Sequence, residues 1–420
     1  MEEVKELLTF IEKSKTMYHV AYEISKVLRE NGFMELNEGE MYNLKQNGKY
    51  FIIRNDASLI AFKMPSKEKA NSFKIVASHL DSPTFKIKPN NTMTKVNYQL
   101  LNTEVYGGAI LSTWFDRPLG IAGRVFINSD NGIETKLVDL DSTFVIPNIA
   151  IHLNRDVNNG YQYNPQVDTL PLYGNKDSES LNTKVAKTLN IKEEDILSND
   201  LYIYSKEKGT IVGIDNEYFI SPKIDNLECA YTSLKAFIKA SSEEDVLVYA
   251  SFNHEEVGSS SNHGANSTFL DDTLRRIANS YDQNYEFYLM LLAKSMIVSA
   301  DNAHAIHPAA PEKSDPTNYV LMNEGIVIKN ACNLSYTTDG ASAAKFIKIL
   351  KDNKVKYQQY TNRSNMRGGG TLGSISLSHV SISSVDIGLA QLAMHSAVET
   401  AGTEDVKIMI DGLTAFYNNK

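Results

Sequence analysis

Two adjacent carboxylates, Glu255 and Glu256, follow directly on an apolar run and are the residues best placed to do chemistry. The run, residues 247–252, is short and continuous, which is typical of a strand buried on both faces. Consecutive side chains on a strand or tight turn point in different directions, so one carboxylate can bind a metal while the other moves a proton. A Glu-Glu pair alone is most often a solvated turn, and other residues must support the metal interpretation.

A second candidate pair is His79 and Asp81, at the end of the strand predicted for residues 73–78. Residues two apart on a strand face the same way, so the imidazole can bind a metal with the carboxylate behind it. Taken alone, a His-x-Asp sequence is more typical of a surface turn. The pair gains meaning only if other ligands lie nearby.

With these two pairs included, four predicted strands end in, or lead directly to, a histidine or an acid: His79, Asp225, Glu255-Glu256 and Asp301. Open α/β sheets bind ligands at the carboxyl ends of their strands, so these groups are expected to converge. His395 adds a second imidazole. Two histidines and three carboxylates are what two metal ions sharing a bridging carboxylate would need. Nitrogen and oxygen ligands without a thiolate suit zinc, and also cobalt or manganese.

Other chemistries fit the sequence less well. The glycine run 368–370 lacks the lysine of a phosphate-binding loop. Spacing alone leaves a Ser-His-Asp triad open, but the chain has no Gly-x-Ser-x-Gly motif. The 42 basic and 51 acidic residues give a formal charge of -9 without long runs of either sign, which argues against nucleic acid or a membrane surface as the main partner.

The elements that must position these groups form an α/β pattern with an interruption. A chain of 420 residues exceeds the usual size of a single core, so we expect two domains or one large domain with an insertion. Residues 1–91 and 221–420 alternate predicted strands and helices, which favours one central mixed sheet flanked by helices. Residues 92–220 contain predicted hairpins, including a turn at 129–132, and a helix at 180–189. We interpret this segment as an inserted β-rich domain.

Near the C-terminus, the pattern predicts a strand over 380–385 and a helix from Asp386 that carries His395. Cys229 and Cys332 are too few for a disulfide framework, and both are predicted to be buried thiols in a reducing compartment. The N-terminus lacks the features of a signal peptide, and no apolar stretch is long enough to cross a bilayer. These features predict a soluble cytoplasmic protein.

Taken together, the motifs resemble family M18, the zinc aminopeptidases typified by aspartyl aminopeptidase. The matching segments occur in the same order over nearly the whole chain. They are 78–83 (Ser-His-Leu-Asp-Ser-Pro), 149–155, 224–227, 254–259 (His-Glu-Glu-Val-Gly-Ser), 299–305 and 393–396. Asn253, Asn302 and the glycine run 368–370 are positions where this chain departs from relatives, which affects the expected substrate pocket and not the metal ligands.

The resemblance implies two zinc ions held by overlapping ligand sets, which are His79, Asp225 and Asp301 for one ion and Asp225, Glu256 and His395 for the other. It also implies that Glu255 is the general base and that Asp81 orients His79. By resemblance to the wider clan of two-metal peptidases, the Asp225-Asn226 peptide is expected to be cis. The implied reaction is removal of the N-terminal residue from peptides.

The resemblance also implies where the substrate binds. His304 and Lys329 match positions that line the pocket for the first side chain. A lysine there would favour N-terminal Asp or Glu, although some relatives prefer leucine. His152 matches a residue that completes the active site of the neighbouring subunit. The β-rich insertion would be a dimerisation domain, and dimers would assemble into a dodecamer.

Two other functions remain open from the sequence alone. The order of histidines and acids could serve a related two-metal deacylase or carboxypeptidase, although the segments around His152 and His304 favour an aminopeptidase. A metal-bound scaffold or shell protein without activity is the alternative from another class. Glu255 argues against a scaffold, because a structural metal site has no use for a general base.

Overall fold

The largest sheet of the chain is mixed and has helices on both faces. A computed structural model describes residues 1–281, 284–366 and 368–419. In order across this sheet, the strands are β1 (Met34–Glu35), β2 (Lys49–Arg54), β3 (Ser58–Lys63), β13 (Val246–Phe252), β4 (Phe73–His79), β14 (Met296–Ala300), β18 (Ser383–Gly388), β16 (Ile326–Asn330) and β17 (Tyr357–Thr361). The central strands β13, β4, β14 and β18 run parallel, and β3 and β16 beside them run antiparallel. The predicted mixed sheet is confirmed.

Side chains that alternate along the central strands enter two hydrophobic cores. Val76 of β4 packs into one core, and its neighbours Ile75 and Ala77 pack into the other. The first core is closed by α1 (Glu2–Lys13), α2 (Met17–Glu30), α4 (Ile224–Lys239), α7 (Gly340–Asp352) and α9 (Thr403–Asn418). The second core is closed by α5 (Phe269–Asn279), α6 (Tyr285–Lys294) and α8 (Leu372–Leu377). Burial on both faces explains the continuous apolar runs in the sequence.

A second sheet lies in the middle of the chain and has its own core. In order, its strands are β8 (Gly132–Asp139), β7 (Leu119–Ser129), β10 (Ile196–Ser205), β5 (Thr84–Lys95), β6 (Tyr98–Tyr106) and β9 (Leu172–Asn175). Phe85, Trp114 and Leu201 are buried in this core, and α3 (Leu181–Leu189) packs on it through Leu181. The predicted turn at 129–132 joins β7 to β8 in an antiparallel hairpin.

The sheets do not follow the predicted domain boundaries at 92 and 220. β5 begins at Thr84, directly after the Ser82-Pro83 turn, so no linker marks the change of sheet. At the other boundary, β11 (Thr210–Val212) and β12 (Tyr218–Ser221) belong to a third, small sheet. Its other strands are β20 (Glu399–Gly402), β19 (Ala390–Leu392) and β15 (Ala303–His304). A pairing between residues so far apart in the chain leaves no local signal in the sequence.

Two sequence predictions about local structure are wrong. The segment after Asp386 is not a helix, because β18 runs to Gly388 and is followed by β19, a turn and β20. Its continuous apolar residues are those of buried strands, which hydrophobic periodicity does not separate from a buried helix. Cys229 is buried as expected, but Cys332 is exposed. In the part of the chain that is described, no helix is long and apolar enough to cross a membrane.

Candidate metal centre

The ends of three central strands bring acids and a histidine to one edge of the largest sheet. His79 is the last residue of β4, and Asp301 directly follows β14. Glu255 and Glu256 lie in a short 3-10 turn, Glu255–Val257, just beyond β13. Because β4 pairs in parallel with both neighbours, with Phe252 opposite His79, the three strand ends are level. This is the convergence that the sequence predicts.

Asp225 and His395 reach the same place from other elements. Asp225 lies in the first turn of α4, where the helix dipole favours a carboxylate. The Asp225-Asn226 peptide is cis, as predicted. His395 lies in the turn between β19 and β20 and has a φ of 68°. Neither residue therefore extends from a strand of the largest sheet.

Asp225 lies between the other candidate ligands, and its two carboxylate oxygens face different histidines. Asp225 Oδ1 lies 3.5 Å from His79 Nε2, and Asp225 Oδ2 lies 3.3 Å from His395 Nε2. His79 Nε2 is also 3.5 Å from Asp301 Oδ1, and His395 Nε2 is 3.5 Å from Glu256 Oε2. Asp225 thus belongs to two triads of possible metal ligands.

The chemistry of these groups fits bound cations. His79, Asp225 and Asp301 each offer one ligand atom within 4.8 Å of the others, and so do Asp225, Glu256 and His395. Among the described residues, Asp225 Oδ1 and Glu256 Oε1 are buried without a hydrogen-bond partner. Burial opposes ionisation of Asp225, but the two imidazoles outweigh it and lower the pKa of this carboxyl. Oxygens of this kind, buried and without a donor, are suited to bind a metal.

Glu255 differs from Glu256 in its surroundings. Burial, with added repulsion from Asp301, raises the pKa of Glu255 to about 8, although His79 opposes the shift. Burial and the nearby Asp225 carboxylate raise the pKa of Glu256 as well. Glu256 Oε2 approaches His395, and Glu255 and Glu256 together form a third group of possible ligands with His79. Glu256 therefore belongs to a group with each histidine.

Asp81 lies behind His79 and holds the turn that carries both glutamates. His79 Nδ1 donates to the main-chain oxygen of Asp81 at 3.1 Å and lies 3.6 Å from Asp81 Oδ1. The Asp81 carboxylate accepts the backbone N–H groups of Glu255 and Glu256, at 3.2 and 3.1 Å. It also accepts the Tyr106 hydroxyl at 2.7 Å. Asp81 therefore holds two separate segments, the turn that carries both glutamates and the end of β6 that carries Tyr106.

Glu399 is a functional candidate that the sequence analysis did not assign. Its Oε1 accepts the backbone N–H of His395 at 2.7 Å, and its Oε2 accepts that of Asp225 at 3.0 Å. Burial, followed by repulsion from Asp225, raises the pKa of Glu399 to about 8. Its position four residues after His395 was the only signal in the sequence. Tyr106 had no such signal, because it reaches Asp81 only through the fold.

The predicted substrate residues lie in three different environments. His152 is exposed on a turn between β8 and β9 and is not part of the ligand groups. His304, the last residue of β15, is solvent-exposed, and desolvation by nearby protein groups, together with the Lys329 ammonium, lowers its pKa. Lys329 is 2% exposed, donates to the Asn302 carbonyl at 2.7 Å and lies 3.7 Å from Asp301 Oδ2. Burial opposes its charge, but Asp301 and other groups raise the pKa of Lys329 to about 12.

Known proteins share both this sequence and this fold. The sequence model Peptidase_M18, described as aminopeptidase I zinc metalloprotease (M18), matches residues 10–417. A probable M18 family aminopeptidase 2 of Clostridium acetobutylicum is 45% identical over 428 residues, covering 100% of this chain and 99% of the relative. The Ape4 and Nbr1 complex, solved by cryo-EM, contains a chain with a TM-score of 0.95 and 31% identity, covering 99% of this chain and 85% of that one. The S. cerevisiae mApe1 dodecamer has a TM-score of 0.86 at 24% identity, with 98% and 95% covered.

An α/β sandwich with histidines and carboxylates gathered at its strand ends defines a metal-dependent hydrolase. The family match extends over nearly the whole chain, and the predicted resemblance is confirmed. The chain belongs to the M18 family of zinc metalloproteases. Its activity is that of a metalloaminopeptidase.

We predict that removal of zinc by a chelator abolishes aminopeptidase activity and lowers the thermal unfolding midpoint. Zinc bound at the folded site would neutralise its carboxylates, and at about 100 times its dissociation constant a ligand adds about 2.7 kcal/mol of stability. Activity, zinc content and the midpoint would be measured before and after dialysis, and again after zinc is restored. Chelator saturated with zinc is the control. Full activity in protein stripped of metal would contradict the prediction.

Proposed function

We propose that the chain binds two zinc ions and uses them to remove N-terminal residues from peptides. One ion would be held by His79, Asp225 and Asp301, and the other by Asp225, Glu256 and His395. The observation that carries this proposal is the position of Asp225, with one oxygen facing each histidine at 3.5 and 3.3 Å. The ligand atoms are nitrogen and oxygen, so cobalt or manganese can replace zinc.

We assign the proton transfers to Glu255. Zinc, when bound, supplies Lewis-acid chemistry that makes water more acidic and a carbonyl more electrophilic. The Glu255 carboxylate accepts a proton from the water that attacks the scissile carbonyl, then donates it to the leaving amine nitrogen. Asp81 holds Glu255 through its backbone N–H and limits rotation of His79 through the Nδ1 contact. The carboxylates of the site attract the positively charged N-terminus of a peptide.

We propose that the pocket for the first side chain includes His304 and Lys329 and favours Asp or Glu. Lys329 is a buried cation beside Asp301, and its ammonium is close enough to the exposed His304 to lower the pKa of that imidazole. An ammonium group has three donors, and one of the Lys329 donors goes to the Asn302 carbonyl. Asp301 offsets part of the Lys329 charge, so the remaining donors would give selectivity through hydrogen bonds to a substrate carboxylate.

The β-rich insertion is proposed to be a dimerisation domain that carries His152 to the active site of a partner subunit. Ile149, Ile151 and Leu153 around His152 are 52%, 44% and 83% exposed. Several large apolar side chains exposed together are typical of a protein interface. Assembly of dimers into a dodecamer is supported by the shared fold of the S. cerevisiae mApe1 dodecamer.

We further propose a cytoplasmic location. Cys229 and Cys332 are both unpaired thiols, and unpaired thiols are typical of reducing compartments. Peptides of the cytoplasm would then be the substrates.

We predict that Glu255→Gln lowers kcat by about 100- to 10,000-fold, which is the usual contribution of a general base. Zinc content should stay near the wild-type value, because Glu255 is assigned to neither ligand set. Glu256→Gln is the matched variant and should lose zinc. Both would be measured by metal analysis and steady-state kinetics. Loss of zinc from Glu255→Gln and not from Glu256→Gln would mean that the two roles are reversed.

Lys329→Met is predicted to reduce the preference for N-terminal Asp over Leu by about 10- to 100-fold, the contribution of one hydrogen bond to a charged group. The ratio of the two kcat/KM values is the readout, because damage to the neighbouring metal site lowers both rates equally. Lys348→Met, at an exposed position on α7, is the control. A wild-type preference for Leu, or an unchanged ratio in Lys329→Met, would refute the pocket assignment and leave the aminopeptidase activity unaffected.

The role of His152 predicts recovery of activity in mixed dimers. A purified dimer of one His152→Ala and one Glu255→Gln subunit should have about half of the wild-type activity, because one of its two sites is complete. A dimer of one wild-type subunit and one subunit with both substitutions should be inactive. If His152 instead acts within its own subunit, the first mixed dimer should be inactive and the second should keep about half of the wild-type activity.

A further inference from the structure

One turn of the inserted region contacts both halves of the metal centre. The turn, residues 106–108, leaves the end of β6 and is called the 106–108 turn below. Its first residue, Tyr106, contacts Asp81, and its last, Gly108, contacts His395. β6 belongs to the second sheet, whereas Asp81 directly follows the largest sheet. The contact therefore joins the two sheets at the site.

Tyr106 acts on the side of the centre that contains His79. Its hydroxyl donates to Asp81 Oδ2 at 2.7 Å, and its side chain is 7% exposed. Asp81 in turn accepts the Nδ1 hydrogen of His79 through its main-chain oxygen. An imidazole whose Nδ1 donates presents Nε2 as the free lone pair. Tyr106 thus holds Asp81, and Asp81 in turn keeps Nε2 of His79 facing Asp225.

Gly108 acts in the same way on His395. Its carbonyl accepts from His395 Nδ1 at 3.1 Å, which leaves Nε2 facing Asp225 and Glu256. A side chain would crowd this approach, because a Cβ at Gly108 would lie 3.3 Å from His395 Nδ1. Gly107 has a φ of 73°, and a Cβ there would lie 3.0 Å from the Cβ of Glu256.

We propose that the 106–108 turn is a positioning element for both histidines of the metal centre. Tyr106 contacts Asp81 and Gly108 contacts His395, and the turn acts on the centre through these two residues. The inference rests on the proposed ligand roles of His79 and His395. It assigns the insertion a task inside its own subunit, in addition to any contact with another subunit.

Loss of a hydrogen bond behind a metal ligand typically lowers metal affinity by 10- to 100-fold. Tyr106→Phe keeps the ring and removes only the hydroxyl, so we expect zinc affinity to fall by about this factor. We expect kcat to fall while KM changes little, because Asp81 also holds the backbone of Glu255. The absorption spectrum of the cobalt-substituted protein should change, since it reports ligand geometry.

Tyr202→Phe is the matched control. Tyr202 is 2% exposed and its ring packs edge-to-face against Tyr106 with centroids 5.6 Å apart. Its hydroxyl interacts with Tyr18 instead of a residue of the metal centre. This variant also loses a buried hydroxyl from the same cluster, so it should lower stability without changing zinc affinity or the cobalt spectrum.

Gly108→Ala tests the other end of the turn and does not depend on Tyr106. We expect about a 10- to 100-fold loss of affinity at one zinc site, because the added methyl group displaces the His395 ring. Zinc affinities would be measured by competition with a chelator, together with apo-protein unfolding, for all variants and for His79→Ala. Unchanged zinc affinity in folded Tyr106→Phe and Gly108→Ala would overturn the inference. Unchanged affinity in His79→Ala would instead refute the proposed ligand set.

Discussion

Repulsion among carboxylates in a buried site is the constraint on which the rest of this structure depends. Asp225, Asp301 and Glu256 approach two imidazoles, and buried oxygens of Asp225 and Glu256 have no donor among the described residues. Such a group of anions is unfavourable in a low-dielectric interior unless cations balance it. The histidines and carboxylates therefore form one electrostatic unit, whose negative charge a bound cation would balance.

The pairing of the central strands, the two cores and two further carboxylates hold this unit in place. Parallel pairing of β4 with β13 and β14 fixes three strand ends, and the two cores on either face prevent those strands from shifting. Asp81 and Glu399 then bind backbone N–H groups of the segments that carry the ligands. Each uses a carboxylate, which accepts several hydrogen bonds at once and so connects segments distant in the chain.

The sequence predicted what depends on local pattern and missed what depends on contacts at long range. Apolar runs followed by His79, Glu255 or Asp301 were sufficient to predict the convergence of strand ends, because parallel strands end at one edge. The turn that carries His395 was predicted as a helix, since a buried strand and a buried helix have the same composition over a few residues. Tyr106 and Glu399 could not be assigned their contacts, because no spacing in the sequence indicates which backbone they approach.

The distribution of the ligands along the chain has a consequence for synthesis on the ribosome. Domains fold as units while the chain emerges. The ligand groups nevertheless extend from His79 to His395, and Glu399, which binds the backbone of two of them, comes later still. A nascent chain can complete the sheet of the insertion, which ends at Ser205, long before it can complete the catalytic centre. With the proposed ligands, peptide hydrolysis would begin only after nearly the entire polypeptide has been translated.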